Sequence, residues 1–335
     1  MIEDIRAIIP VAGVGSRLRP HTYSAPKVLL HVAGKPILGH ILDELRDLGI
    51  VKLTLIVGYR GEMIRDYVES TYRFQTTYVP QEDLRGLGHA IFLTRESSRT
   101  AKRLLIVLGD TVFKADLGKV LASPISLIGV KEVADPRRFG IVELRGPAIA
   151  GMAEKPQEPK TNLAIVGIYY LTEPQLLYQC LEEMIESGQT TQGEFQLTDA
   201  LQKMIERGVE MRPFLVDGWH DCGAPEALLQ TNREMLAHHD PLNSTDAASR
   251  FPGCIINPPV SIAPSAVLEN SIIGPYVTVA DRALIKNAVV RDSIISRNAS
   301  VSNIHLEGSI ISDNARVESK PYRLNVGDSS ELSLG

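Results

Sequence analysis

The amino-acid sequence predicts an α/β fold: a doubly wound sheet with right-handed crossovers, followed by a short solenoid of parallel β-strands. Three observations carry this expectation. At 335 residues the chain is too long for one ordinary hydrophobic core, so two domains are expected. Up to about His238, apolar strand-like runs alternate with stretches of helical periodicity, the pattern of βαβ units. Beyond Cys254 the helical period vanishes, and small and aliphatic residues recur about every six positions, as in hexapeptide β-helix repeats.

The elements follow in order. Ile5 to Val11 is a near-continuous apolar run, as expected for a strand buried on both faces. Pro36 opens a helix whose apolar face is Ile37, Ile41, Leu42, Leu45 and Leu48, and Gly49 closes it. Leu53 to Gly58 is a second strand, Glu62 to Tyr72 a helix, Thr77 to Val79 a short strand and Leu87 to Ser97 a helix. Arg103 to Asp110 is the clearest strand and ends in an acid. Ser126 to Lys131, Gly140 to Leu144 and Ala164 to Tyr170 read as β. Helices are expected at Glu173–Glu186 and Leu197–Arg207, a strand near Met211–Val216, and a last helix from Pro225 to about His238. Residues 239–254 lack periodicity and read as a linker. In the repeat region Val260, Val277, Ile294 and Ile311 are evenly spaced by 17 residues. Ser-Ile-Ile recurs at 271–273, 293–295 and 309–311. Each coil is expected to bury its aliphatic face on the next.

Composition narrows the function. A formal net charge of −5 argues against general nucleic-acid binding. Cys180, Cys222 and Cys254 are far apart, fit no CxxC or zinc spacing and suggest a reducing compartment. No signal peptide is read and no apolar run could span a bilayer, so a cytoplasmic protein without membrane partners is expected.

The chemistry concentrates where Ile8–Val11 runs into Ala12-Gly13-Val14-Gly15-Ser16-Arg17-Leu18-Arg19-Pro20, with Pro26-Lys27 beyond. Backbone N–H groups in such a turn form an anion-binding concavity, and Arg17, Arg19 and Lys27 add positive charge at its rim. A dinucleotide fingerprint is excluded because Leu18 holds the third glycine position, and no GK[ST] completes a Walker A loop. Asp110 reads as a helix cap, a turn acid or a metal ligand. Asp221 is similarly open, and together the two acids could hold one Mg²⁺. Glu154-Lys155 is compatible with a solvated turn. His21, His89 and His220 have no ligand or triad spacing, and Ser16 has no nucleophile's partners.

The glycine loop with Pro26-Lys27, then Gly109-Asp110, Glu154-Lys155-Pro156, Gly193-Glu194 and Trp219-x-Asp221-x-Gly223, resembles the ordered motif set of sugar-1-phosphate nucleotidylyltransferases. The resemblance is nearest to glucose-1-phosphate thymidylyltransferases and their uridylyltransferase relatives, and it covers about residues 1–238. It implies a Rossmann-like mixed sheet, and a left-handed parallel β-helix for the carboxyl-terminal repeats. It also implies roles. Ala12, Gly13 and Gly15 would hold the nucleotide phosphates, and Gln81 and Gly86 a pyrimidine base. Arg17 and Lys27 would neutralise the triphosphate, and Asp110 and Asp221 would bind Mg²⁺. Gly140, Glu154 and Val166 would line the sugar pocket, with Lys155 on the sugar phosphate. Pro10-Val11-Ala12-Gly13 departs from the Gly-Gly entry of many thymidylyltransferases towards the uridylyltransferase form, leaving dTTP and UTP both open.

The expected organisation is therefore a nucleotidyltransferase domain (1–238), a linker (239–254), a β-helix (255–320) and a tail (321–335). The expected reaction joins dTTP or UTP to a hexose 1-phosphate, glucose 1-phosphate first, releasing pyrophosphate. Guanylyl transfer to mannose 1-phosphate and uridylyl transfer to N-acetylglucosamine 1-phosphate are the alternatives within the class. A dinucleotide-dependent oxidoreductase, a scaffold with a vestigial site and an acyltransferase on the β-helix are the alternatives outside it. The β-helix is expected to mediate homo-oligomerisation.

Overall fold

The computed structural model describes residues 4–238, 250–320, 323, 325–329 and 331. Most of the expected linker and tail lies outside the described residues. The chain divides into two compact units, Met1–Thr231 and Asn232–Gly335, and the division falls within the helix Pro225–Ala237.

The first unit is built on a nine-stranded mixed sheet. Four parallel strands form its heart, in the order Arg103–Val107, Ile5–Pro10, Lys52–Val57 and Gln75–Pro80. Their near-continuous apolar sequence follows from burial on both faces. Ala7, Ile9, Leu53, Leu55, Leu105 and Val107 point into one core, and Ile8, Ile56, Leu104 and Ile106 into the other. Helices Ile37–Asp47 and Gly61–Thr71 cover the first core through Leu38, Ile41, Leu42, Leu45, Ile64 and Val68. Helices Pro174–Ser187 and Leu197–Glu206 cover the second through Leu177, Leu181, Met184, Leu197, Leu201 and Met204.

Antiparallel strands extend the sheet, and one of them forks it. Leu163–Leu171 pairs with Arg103–Val107 through Ile168–Leu171, and with Gly140–Arg145 through Ala164. Its other edge carries Ser126–Glu132, which in turn pairs with Met211–Leu215. At the fork Gly167 has φ +82°, and the Leu108 N–H donates to its carbonyl at 2.9 Å. A Cβ at Gly167 would stand 2.6 Å from the Leu108 side chain. The sheet therefore opens where Leu108-Gly109-Asp110 leaves it, which places that acid at a gap between strands.

Three sequence expectations are corrected. The helix from Leu87 stops at Phe92, because Thr94 Oγ1 donates to the Ile91 carbonyl and Ser97 Oγ to the Thr94 carbonyl, replacing helix continuation with turns. The Arg103 strand ends at Val107, and the chain turns at Leu108 into an unforeseen strand, Thr111–Lys114, then the Asp116-capped helix Leu117–Leu121. The even 17-residue spacing does not survive either.

The second unit stacks its repeats in three four-stranded parallel sheets, the arrangement of a β-helix and consistent with the left-handed form. Val260 stands beside Val277, but Thr278, not Val277, stands beside Ile294, and Ile294 beside Ile310. On this face the first step is 17 residues and the later ones 16, whereas the face of Ile255 keeps 17 for two steps, because the corners at Pro258-Pro259 and Gly274-Pro275 hold one residue more than the corner at Asp292-Ser293. The Ser-Ile-Ile copies fall on different faces, Ile272-Ile273 in one sheet and Ile294-Ile295 and Ile310-Ile311 in another, because the first two copies lie 22 residues apart, more than one coil. Ile273, Val290, Ile295, Ile285 and Val301 fill the interior. Asn232, on the helix entering this unit, accepts from Thr278 Oγ1 at 2.6 Å and donates to the Tyr276 carbonyl.

Gly167→Ala is expected to destabilise the first unit by about 2 kcal/mol or more, since it adds a left-handed backbone penalty to the Leu108 clash. Urea unfolding followed by tryptophan fluorescence reads this, because Trp219 is the single tryptophan and lies in that unit.

Candidate active site

The carboxyl ends of Ile5–Pro10 and Arg103–Val107 lie side by side because the strands are parallel neighbours. The glycine loop and Asp110 therefore open onto one crevice, the usual place for a ligand in a doubly wound sheet. Gly15 takes φ +68° as the loop turns into the short 3₁₀ turn Ser16–Leu18, and Thr22 Oγ1 donates to its carbonyl at 2.9 Å. A Cβ at Gly15 would meet Lys27 Cβ at 2.9 Å, so this glycine lets Lys27 pass beneath the loop.

Lys27 joins the two acids. Its side chain is 9% exposed, and its ammonium donates to Asp110 Oδ2 at 2.7 Å and lies 3.8 Å from Asp221 Oδ1. Asp221 arrives through the strand Gly218–Asp221, which pairs antiparallel with Thr111–Lys114 and sets Asp221 opposite Thr111. The Cys222 N–H then donates to the Asp110 carbonyl at 3.3 Å. Asp110 sits in the turn between two strands and Asp221 at a strand end, both side chains about two-fifths exposed. Two carboxylates against one ammonium leave the trio anionic, with hard oxygen donors facing the crevice. That donor set fits a divalent cation such as Mg²⁺, which takes few protein carboxylates. Among the described residues no cluster of three or more acid, histidine or cysteine side chains gathers into a metal cage.

Among the described residues the crevice includes three adjoining compartments. One of about 410 Å³ is lined by Gly13, Gly15, Arg17, Lys27 and Asp110. A second of about 580 Å³ shares Arg17 and Asp110 with it and adds Lys155, Val166, Trp219 and Asp221. The third, about 150 Å³, contains Gly140, Glu154, Gln196 and Thr198. Here Thr198 Oγ1 donates to Glu154 Oε2 at 2.6 Å, while Lys155 Nζ lies 3.5 Å from Glu154 Oε1. A side chain at position 140 would collide with that carboxylate, 2.9 Å from where a Cβ would sit. Glu154 is thus fixed by one hydrogen bond and a neighbouring ammonium, and its side chain is 11% exposed.

Of the residues singled out in the sequence, Gly13, Gly15, Arg17, Lys27, Asp110, Gly140, Glu154, Lys155, Val166 and Asp221 line this one crevice. Ala12, Gln81 and Gly86 are not among the residues lining the three compartments. Ala12 is buried, Gln81 is buried at the end of Gln75–Pro80, and Gly86 packs against the Phe195 carbonyl. Sequence reasoning missed Arg137, Arg138, Phe139, Gln192 and Thr198 as lining residues, and gave Trp219 no role. The run Arg137-Arg138-Phe139-Gly140 was the available signal, two adjacent cations entering a strand.

Comparison with known proteins agrees with this architecture. The nucleotidyl transferase family model matches residues 6–238. UTP–glucose-1-phosphate uridylyltransferase AglF of Haloferax volcanii is 33% identical over 232 residues, covering 66% of this chain and 93% of that protein. A glucose-1-phosphate thymidylyltransferase of Streptomyces griseus is 29% identical, covering 98% of this chain and 99% of its own. Among solved structures, a glucose-1-phosphate thymidylyltransferase described as putative, from Bacillus anthracis, superposes with a TM-score of 0.61 at 25% identity, over 70% of this chain and 96% of that one. The chain belongs to the nucleotidyl transferase family, and within it to the enzymes that act on sugar 1-phosphates. No described helix is long and apolar enough to cross a membrane.

The three cysteines are free and differ in burial. Burial pushes the Cys222 thiol up to about 12 and raises that of Cys180, so both stay protonated at pH 8. Cys254 is partly exposed. Iodoacetamide on the native protein at pH 8 is expected to label Cys254 first, with Cys180 and Cys222 labelled only after unfolding, as peptide mass spectrometry would read.

Proposed function

We propose that this chain transfers a uridylyl or thymidylyl group from UTP or dTTP to a hexose 1-phosphate, with glucose 1-phosphate as the first candidate. The observation that carries this reading is the convergence of Arg17, Lys27, Asp110, Asp221 and Lys155 on one crevice, beside a carboxylate that Thr198 holds by a hydrogen bond.

In this reading Gly13 and Gly15 offer backbone N–H groups to the triphosphate, and Arg17 lies over it from the short turn that follows. Glu154 accepts from sugar hydroxyls, with Gly140 and Val166 as walls, and Lys155 holds the sugar phosphate. Asp110 and Asp221 would hold Mg²⁺, which when bound supplies positive charge to the triphosphate. A phosphate oxygen of the sugar 1-phosphate forms the new bond to the α-phosphorus, the bond to the β-phosphate oxygen breaks, and pyrophosphate departs with that electron pair. The nucleophile is already an anion at neutral pH, so no general base is required. The remaining barrier is the approach of two anions, which positioned cations and in-line geometry lower.

Gln81 and Gly86 remain the proposed base-reading pair, acting from beside the crevice. Uracil and thymine differ by one methyl group, worth on the order of 1 kcal/mol when buried, so substantial use of both nucleotides is expected.

A matrix of five triphosphates against glucose, galactose, mannose and N-acetylglucosamine 1-phosphates, read by pyrophosphate release, tests the reading. Turnover is expected with UTP and dTTP on glucose 1-phosphate, and use of GTP alone would overturn it. Asp110→Asn is expected to lower kcat by roughly 100-fold or more with the fold intact. Near-normal turnover of that variant in saturating Mg²⁺ would remove Asp110 from the metal site.

A further inference from the structure

We propose that Arg138 is a second phosphate-gripping residue, which with Lys155 selects the phosphorylated end of the acceptor sugar. The inference rests on the functional reading above and adds a residue to it.

Arg138 ends the short turn Pro136–Arg138, which Asp135 caps by accepting from the Arg137 N–H. Asp135 also receives Arg137 Nε and Nη2, each at 2.8 Å, so this carboxylate is committed to Arg137. That pairing holds the Asp135 carboxyl at about 2, with a smaller contribution from the nearby charge of Arg138. Arg138 itself forms no hydrogen bond or ion pair with a described residue. Nearby Glu154 is taken by Thr198 and Lys155.

The turn is held firmly. Phe139 packs edge-on against Trp219 at 5.0 Å between centroids, and the Lys155 N–H donates to the Phe139 carbonyl at 3.0 Å. Strands Gly140–Arg145 and Ala148–Glu154 pair with Gly140 opposite Glu154. One step beyond that pair, Phe139 faces Lys155, and Arg138 follows. Arg138 lines both the compartment of Lys155, Asp110 and Asp221 and the smaller one of Glu154 and Thr198. It stands at their border. A hexose 1-phosphate whose ring hydroxyls meet Glu154 must carry its phosphate across that border. A guanidinium there presents a fork that matches two phosphate oxygens, where Lys155 offers a point charge.

The test is Arg138→Ala, measured by steady-state kinetics and by calorimetry with glucose 1-phosphate and, separately, UTP. The KM for glucose 1-phosphate and its calorimetric Kd are expected to rise at least about tenfold, the scale of a lost charge-assisted pair of hydrogen bonds. The UTP affinity is expected to change less than about twofold, since no triphosphate contact is assigned to Arg138. The thermal midpoint is expected to hold, because the side chain is exposed and anchors nothing. Unchanged glucose 1-phosphate affinity, or equal losses for both ligands, would overturn the proposal. If the wild-type protein releases no pyrophosphate with any substrate pair, the functional reading fails, and calorimetry with glucose 1-phosphate still decides the role of Arg138.

Discussion

An ammonium buried beneath a glycine turn, between two carboxylates from distant parts of the chain, is the constraint on which this site depends. Burying Lys27 costs free energy that only close pairing offsets, and Asp110 at 2.7 Å provides it. The pairing in turn dictates the surrounding architecture. Gly15 must lack a side chain for Lys27 to pass. Thr111–Lys114 must turn back from Asp110 so that Gly218–Asp221 can lie along it. Removing Lys27 would leave two acids facing each other without their common counter-charge, so its loss would be felt in local structure as well as in chemistry.

How far the sequence anticipates this depends on distance along the chain. The strand Ile5–Pro10 and the strand ending before Asp110 were legible because burial on both faces demands unbroken apolar runs. The glycine loop was legible because cations crowd a turn. The meeting of Asp110 and Asp221 was implied by the family resemblance but not by spacing, because it depends on Thr111–Lys114, a four-residue strand too short to show a period. The fork at Gly167 was hidden for a related reason: a bulge inside an apolar strand looks like more strand. Arg138 was hidden because a polar turn entering a strand looks solvated until the opposing Lys155 is known.

The repeat unit gives the complementary case. Its aliphatic recurrence announced parallel coils, yet an even spacing of 17 misassigned the partners after the first step. Local sequence records the corners, where Pro258-Pro259 and Gly274-Pro275 insert a residue that the Asp292 corner lacks. Register is a property of whole coils, and in a strand of two or three residues a slip of one exchanges inside for outside.

Charge balance at the crevice separates the cations by task. The chain is anionic overall, and Lys27 is already matched by more than its own charge. It therefore organises two acids whose oxygen donors suit a divalent cation. Arg17 forms no ion pair among the described residues, Arg138 is likewise uncommitted, and Lys155 is shared only with Glu154 across 3.5 Å. These three retain charge for incoming phosphates, and low-dielectric crevice walls concentrate its effect. In the proposed reading their placement would divide the substrates: Arg17 borders the glycine loop as well as the compartment of Lys155, whereas Arg138 and Lys155 border Glu154. A nucleotide and a sugar phosphate entering from these two sides would meet over Asp110 and Asp221. In the proposed reaction two anions would be brought together there without a proton changing hands.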